Sequence, residues 1–525
     1  MNAPTPRPAS YQPVTIAEGL RTAAAHDPDK VAFSEEGRTI TYAQLMRRIN
    51  QVSNAVRGGL GLAAGDHAAL MAPNCLEFIE ITCGLAEAGN PPAMIGPRST
   101  ATELAYICND SGAKVLFVHA DAEELARSTA LETVERIIVI DRDQRAKGNY
   151  EDFIAGAPAD RPEVALEEWD VFSIPYTSGT TGEPKGVLLS HRSRVNHMLF
   201  GMAATYGCYT PDTHGLAMSP FHTGAGFANA LAPAFFGGTC HILPKYEPET
   251  MLRAVSELGI TSMFMVPTHF HAMFGIEEAA LRRYDTRSLK VIHSNAAALP
   301  QATKERIVDY FGEGILFESY GATETGNVTA LRPEDQLRKP QCVGHPAPGV
   351  WLELRNDSGD TVAQGEVGEI WVRNAWLFNG YWNKPAQTAE TLRDGWCGVG
   401  DLGRQDDEGY LYLVDRKNNI INSGGYNIFP REIEEVLHHH PAVAEAAVVG
   451  KKDDYWGEAV TAFIVLRPGA SADERELKEH CSRALSPYKL PKEFRFHEDL
   501  PKNAAGKILH RELRDALNRE TAPRV

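Results

Sequence analysis

"YTSGTTGEPKGVLLSH", residues 176–191, is the stretch from which the rest of the chain can be read. Between Tyr176 and Gly186 it holds five hydroxyl residues, three glycines and one lysine in eleven positions. A packed core has no use for such a run, because glycine weakens regular structure and buried hydroxyls need partners. A phosphate chain does have a use for it, needing exposed backbone N–H groups, hydroxyl donors and a positive charge. The spacing Gly179-x-x-Gly182-x-x-Lys185-Gly186 is not the G-x-x-x-x-G-K-[ST] of P-loop kinases and GTPases, which are a poor fit. The loop lies between the apolar stretches "VFSIPY" and "VLLSH", where a phosphate loop over a sheet belongs.

At 525 residues the chain exceeds one typical core, and several domains or subdomains are expected. Its 43% hydrophobic and 23% charged content is that of an ordinary globular protein. A formal net charge of −17 argues against a general nucleic-acid binder but leaves room for a local cationic pocket. Eight cysteines without a CxxC pair fit a reducing compartment. The start "MNAPTPRPASYQP" lacks an apolar signal region, and "GFANALAPAFFGG" is too short and too broken by Gly and Pro to span a bilayer. A cytoplasmic protein without an integral membrane segment is expected.

Strand-like and helix-like stretches alternate through the first third. "HAALMAP" (67–73), "PPAMIG" (91–96) and "KVLFVHA" (114–120) read as strands, "CLEFIEITCGLAEAG" (75–89) as a helix, and "TATE" (100–103) as a capping box. The alternation predicts parallel sheets with helical crossovers, continued at "RIIVIDR" (136–142), "SLKVIHSN" (288–295) and "ILFESYG" (315–321). After residue 340 the texture turns to antiparallel strands with Gly-rich turns. From about 417 a last segment combines the amphipathic helix "FPREIEEVLHHHP" with the strands "AEAAVVGKK" and "GEAVTAFIVLRPG".

Thr177-Ser178-Gly179-Thr180-Thr181-Gly182 with Lys185-Gly186 resembles the phosphate loop of the adenylate-forming (AMP-binding) enzymes, a superfamily that includes the acyl-CoA synthetases. The rest follows in order. "YGATET" (320–325) resembles the aromatic–Gly–x–Thr–Glu motif. "GWCGVGDLG" (395–403) resembles the strand of the ribose-binding aspartate. "DRKNNIINSGGYNIFPREIE" (415–434) resembles the hinge and the glycines beyond it, and "PKNAAGKI" (501–508) the C-terminal lysine motif. The resemblance covers roughly residues 15–515. It implies an α/β fold. The large N-terminal AMP-binding domain, 1–416, would hold two doubly wound sheets and a small distorted β-barrel (about 340–416), and the mobile α+β domain would span 417–525.

The resemblance also implies roles. Adenylation joins a carboxylate to the α-phosphorus of ATP and expels pyrophosphate, so the site must align two anions and neutralise developing charge. The loop residues Thr177 to Gly182 and Thr323 would hold ATP, with Lys185 supplying charge. Glu324 and the Thr177 hydroxyl would hold Mg2+, an assignment that suits a hard cation. Tyr320 would stack on adenine against the backbone of Asn295, Ala296 and Ala297, and Glu318 would read the adenine amino group. Asp401 would accept the ribose hydroxyls, and Arg416 would donate at ribose and phosphate. Lys507 would be delivered to the carboxylate and α-phosphate for adenylation only. The small domain would then turn about Asn418, where many relatives have Asp or Lys, and Gly424 and Gly425 would line the coenzyme A channel.

The branch of the family is read from the substrate end. "SPFHTGAG" (219–226) has no acid to pair with an amino-acid ammonium, no carrier domain follows Val525, and the end "TAPRV" is no peroxisomal tail. A CoA ligase is expected, using ATP, Mg2+ and coenzyme A on a small carboxylic acid, as a monomer or homodimer. The alternatives are transfer to a carrier-protein thiol or nucleotide binding without chemistry. Acetate-specific relatives place Trp where this chain has Gly321. With Phe221, Gly224, Gly226 and Phe227 this implies an apolar pocket for a medium-chain, alicyclic or aromatic acid, and His222 would stand beside the carboxylate.

Overall fold

The computed structural model describes residues 10–141, 149–177, 183–297, 299–453, 455–502 and 508–521. Apolar runs with no polar alternation become strands buried on both faces, as parallel sheets require. Ala68–Met71 and Pro92–Ile95 are buried at every position. Glu103 N–H donates to the Thr100 hydroxyl, and Thr100 N–H to the Glu103 carboxylate, so the capping box forms.

A seven-stranded sheet has the order Gly380–Tyr381, Lys185–Ser190, Val171–Thr177, Pro92–Ile95, Ala68–Met71, Val115–His119, Arg136–Ile140. Its last five strands are parallel. A second, fourteen-stranded sheet has a parallel portion in the order Leu316–Ala322, Val291–Ser294, Ser262–Met265, His214–Ala217, Thr239–Ile242, Val31–Glu35. Its remaining strands, from Gly326–Leu331 through Cys342–Pro346 to Trp351–Arg355, pair antiparallel. The antiparallel texture therefore begins at Gly326 rather than near 340. The turn Thr323–Thr325 folds the strand back on its neighbour, a pairing that composition does not reveal. The motif "YGATET" thus sits at the carboxyl end of the last parallel strand, the end of an α/β sheet at which ligands bind.

"GFANALAPAFFGG" forms the helix Gly224–Phe235, most of it buried between the sheets. Among the described residues no helix is long and apolar enough to cross a membrane. From Ile421 onward the chain builds cores of its own, one around Ile421, Ile433, Val448 and Leu477, another around Val449, Phe463 and Leu517.

Candidate functional site

The loop Ser178–Gly182 lies outside the described residues, but its two roots are placed. Thr177 and Lys185 face each other as a cross-strand pair. Tyr176 donates to Asp110 (2.8 Å), Trp382 Nε1 to the Asp110 carbonyl (2.8 Å), and Tyr106 to the Pro184 carbonyl (3.0 Å). Gly186 is glycine because a Cβ there would come within 3.0 Å of Ile174 and of the Tyr176 ring.

Lys185 reaches across the sheet edge, its Nζ 5.1 Å from the centre of the Tyr381 ring. The Tyr381 hydroxyl donates to Glu324 Oε1 at 2.7 Å. Burial, and then the Glu324 charge, push the Tyr381 hydroxyl above its ordinary range, so it stays a donor. The turn carrying Glu324 is pinned by Phe378 N–H on the Glu324 carbonyl (2.9 Å) and Asn374 on the Thr325 carbonyl (3.1 Å). Tyr381 escaped the sequence reading; "GYW" at 380–382 has no chemical signature until the sheet places it. The donor set suits magnesium: one Glu324 oxygen is held by Tyr381, the other has no hydrogen-bond partner among the described residues, and the half-buried Thr177 side chain is a hydroxyl.

Asp401 and Arg416 are cross-strand partners on neighbouring strands. Arg416 Nε donates to Asp401 Oδ1 (3.0 Å) and the Tyr320 hydroxyl to Oδ2 (2.7 Å). Burial pushes the Tyr320 hydroxyl well up, with Asp401 adding to it. Burial is the largest single influence and works against the Arg416 cation, but Asp401, Tyr320 and Glu324 together outweigh it. Each Asp401 oxygen retains a second lone pair, so the group can accept further donors while held.

Beside Tyr320, Ser319 binds both Asn295 Nδ2 (2.8 Å) and the His293 ring (2.7 Å). Asn295 in turn accepts from Ala296 N–H, and Ala296 is held at φ +78°, left-handed for a non-glycine residue. Strain of this kind persists only where the surroundings hold it, and it gathers at ligand sites. The Glu318 carboxylate forms a buried ion pair with Lys304, from the helix Gln301–Phe311, and accepts from Leu299 N–H (3.4 Å). Nothing in the residues around Glu318 announces Lys304, which the fold brings beneath the strand.

The substrate-end residues need correction. Phe221 and Phe227 are core side chains, packed on Phe78 with ring centres 5.7 Å away in each case. Gly226 and Gly321 are glycines because a Cβ would strike the carbonyls of Pro220 and Gly326 at 2.1 and 2.0 Å, not because they leave room for a substrate. Gly224 does leave room; its added Cβ would meet only Thr323, at 3.4 Å. His222 has an Nδ1 without a partner, and burial lowers its pKa to about 4.

In the small domain Gly424 (φ +58°) and Gly425 (φ +83°) form the two-residue turn between paired Ser423 and Tyr426. Left-handed geometry at both positions explains the pair, and a Cβ on Gly425 would meet nothing. A Cβ on Gly424 would instead come within 3.0 Å of the Trp456 ring. Around the turn lie exposed rings: Tyr426 stacked on Tyr488 (4.5 Å), Trp456 beneath Gly424, and Lys492 4.9 Å from the Trp456 ring centre. Asn418 is exposed, its carbonyl accepting from Arg514 (2.9 Å), while neighbouring Lys417 pairs with Asp357 (2.7 Å) and Glu369 (3.4 Å) on the large body. A cation paired with acids of the large body therefore stands one residue before Asn418. Lys507 lies outside the described residues.

Comparison with known proteins returns the same picture. The profile "AMP-binding enzyme" matches residues 20–382, and "AMP-binding enzyme C-terminal domain" matches 432–507. A long-chain-fatty-acid–CoA ligase of Bacillus subtilis (strain 168) is 33% identical, covering 95% of this chain and 94% of its own. A fatty acid–[acyl-carrier-protein] ligase, ScoC, of Streptomyces coeruleorubidus is 32% identical over 97% and 98%. Among solved structures, ATP-bound MatB from Rhodopseudomonas palustris superposes with a TM-score of 0.88 at 28% identity, covering 97% of this chain and all (100%) of that one.

Proposed function

The chain belongs to the AMP-binding enzyme family of adenylate-forming enzymes, and from that premise we propose that it is an ATP-dependent carboxylate–CoA ligase. One observation carries the reading. A ring, an acid and a guanidinium from separate strands, Tyr320, Asp401 and Arg416, meet in one hydrogen-bonded cluster beside the turn of Glu324. In the first half-reaction a carboxylate oxygen attacks the α-phosphorus and pyrophosphate leaves. The roots Thr177 and Lys185 would align the phosphates, Asp401 and Arg416 would fix the ribose, and Lys507 would offset the charge that develops. Magnesium bound at Glu324 would act as a Lewis acid toward the phosphate oxygens. In the second half-reaction the CoA sulfur attacks the acyl carbon, AMP departs, and the thiol loses its proton.

Coenzyme A is favoured as acceptor by the exposed rings of Tyr426, Trp456 and Tyr488 and by Lys492, which offer a nucleotide stacking surface and charge beside the Gly424-Gly425 turn. The ScoC likeness supports a second reading, transfer to a carrier-protein thiol. We read the acid as larger than acetate, on the room at Gly224 and beside His222, and the enzyme as a cytoplasmic monomer or homodimer. The test is pyrophosphate release with a panel of acids from butyrate to cinnamate and cyclohexanecarboxylate, with and without CoA. Release coupled to acyl-CoA is expected. Release with no CoA-dependent product favours the carrier-protein reading, and no release with any acid overturns the proposal.

A further inference from the structure

The helix that follows the phosphate loop carries a charge with nothing to balance it. Arg194, on the short helix His191–Asn196, is only 7% exposed. Its Nε has no hydrogen-bond partner, and among the described residues no carboxylate pairs with its guanidinium. Arg192, two residues back, does have an acid, Glu168, at 3.0 Å. Burial lowers the Arg194 pKa only to about 10, so the cation persists at neutral pH. A buried, unpaired ion is costly, and a core arginine is rare unless it is paired.

The next turn deepens the anomaly. His197, on the same helix face three residues on, is 6% exposed; neither ring nitrogen makes a hydrogen bond of good geometry, and the Asn327 side chain beside it is committed to the Gly201 carbonyl and Tyr206. Burial, and then the Arg194 charge, keep it neutral. From His197 to Ala203 the backbone opens into π-helical turns, an irregularity that recurs at functional sites. The His197 ring lies against the hairpin of the candidate site: a Cβ on Gly326 would approach its Cδ2 to 2.9 Å. Gly326 is the cross-strand partner of Ala322, and Asn327 of Gly321. His197 therefore lies directly behind the strand end that carries Tyr320 to Glu324, and Arg194 is about 4.5 Å of helix rise from His197.

We propose that Arg194, with His197 beside it, receives a second carboxylate at the far end of the acyl substrate, so that the preferred acid is a dicarboxylate rather than a plain hydrocarbon acid. A guanidinium fork matches a carboxylate with two parallel hydrogen bonds. Seating the substrate would supply the counter-charge that the folded chain lacks. The neutral His197 adds a donor to the second carboxylate and no charge. The inference rests on the adenylation reading above and narrows its acid.

The test compares matched acids, hexanoate with adipate, heptanoate with pimelate and benzoate with isophthalate, by pyrophosphate release and acyl-CoA formation. The wild-type chain is expected to favour the diacid of at least one pair by about 100-fold in kcat/KM, as a site built around a buried polar group does. Arg194→Met should collapse that diacid-to-monoacid ratio by about 100-fold, and Arg194→Lys should fall between. Removing an unpaired buried charge should leave the melting temperature of Arg194→Met equal or higher. Monoacid preference in the wild type overturns the inference while the ligase reading stands, whether or not the variant folds. So does a ratio unchanged in Arg194→Met together with a lowered melting temperature, which marks the arginine as structural. Absence of pyrophosphate release with every acid overturns both.

Discussion

Tyr381 is the residue whose importance lay furthest from its local sequence. Its hydroxyl is the one side-chain donor to Glu324 among the described residues, and its ring lies under the Lys185 ammonium. A hydrogen bond to a charged group contributes about 1.5–3 kcal/mol. Tyr381→Phe should therefore weaken the positioning of Glu324 and lower kcat/KM for ATP roughly ten- to a hundred-fold, with the magnesium concentration for half-maximal rate shifted upward. Magnesium titrations of variant and wild type decide this; an unchanged midpoint would separate Tyr381 from the metal site. Glu324, Asp401, Arg416 and Tyr320 were legible because each stands in a motif of distinctive composition. Lys304 and Arg194 were not. A lysine or arginine in a helical stretch reads as a solvated face, and only packing shows that these two are buried, one paired and one not.

At the scale of elements, local chemistry was read more surely than its purpose. The Thr100 capping box, the buried strands and the helix Pro430–His438 stand close to where the periodicity placed them. Glycine shows where local reading falls short. Gly226 and Gly321 serve close backbone contact rather than substrate space, and Gly424-Gly425 forms a tight turn. Gly425→Ala, at φ +83°, should destabilise the hairpin by about 1–2 kcal/mol, whereas Gly425→Asn should cost less, since Asn tolerates left-handed geometry. If the hairpin serves the acceptor, Gly425→Ala lowers thioester formation from supplied acyl-AMP and spares pyrophosphate release. Equal loss in both would assign the turn to folding alone. The π-helical turns after His197 had no sequence signal, because the extra residue per turn is imposed by neighbours.

For the whole molecule, the prediction that follows from two half-reactions concerns Lys507. Loss of one preorganised donor costs about 2.7–4 kcal/mol, or roughly 100- to 1000-fold. Lys507→Ala should lose adenylation by that factor while thioester formation from supplied acyl-AMP continues; parallel loss would refute a role confined to the first step. Acid stability is a second global property. Burial depresses the pKa of His191, His222, His241 and His269 to about 4 and of His293 to about 3, with His197 also well below normal. These groups bind protons more readily when unfolded, so their contribution is present above the unfolded value of 6.5 and is lost as pH falls toward 4. Glu80, raised by burial to about 7, acts in the opposite sense between 4.5 and that value, as do Glu87, Asp415 and Glu435, which burial also raises, but burial lowers His67, His214 and His438 too, so among the described residues nine histidines stand against four carboxyl groups. Each histidine adds about 1.4 kcal/mol per pH unit within its window. Urea unfolding of the large body should show its midpoint falling steeply from pH 6.5 to 4, and a flat profile would contradict the buried neutral histidines.

The amino-acid order by itself determined the family, the alternation of strands and helices, the succession of motifs and most of the residues proposed for the nucleotide. Those depend on period, capping and turn chemistry, which act over a few positions. Only the tertiary structure decided which buried charge has a partner, which glycines serve close backbone contact, and that Tyr381 holds Glu324, Lys304 pairs with Glu318 and Arg194 is buried without a paired carboxylate among the described residues. Desolvation and pairing are set by neighbours tens to hundreds of residues away, and no short stretch of sequence contains them.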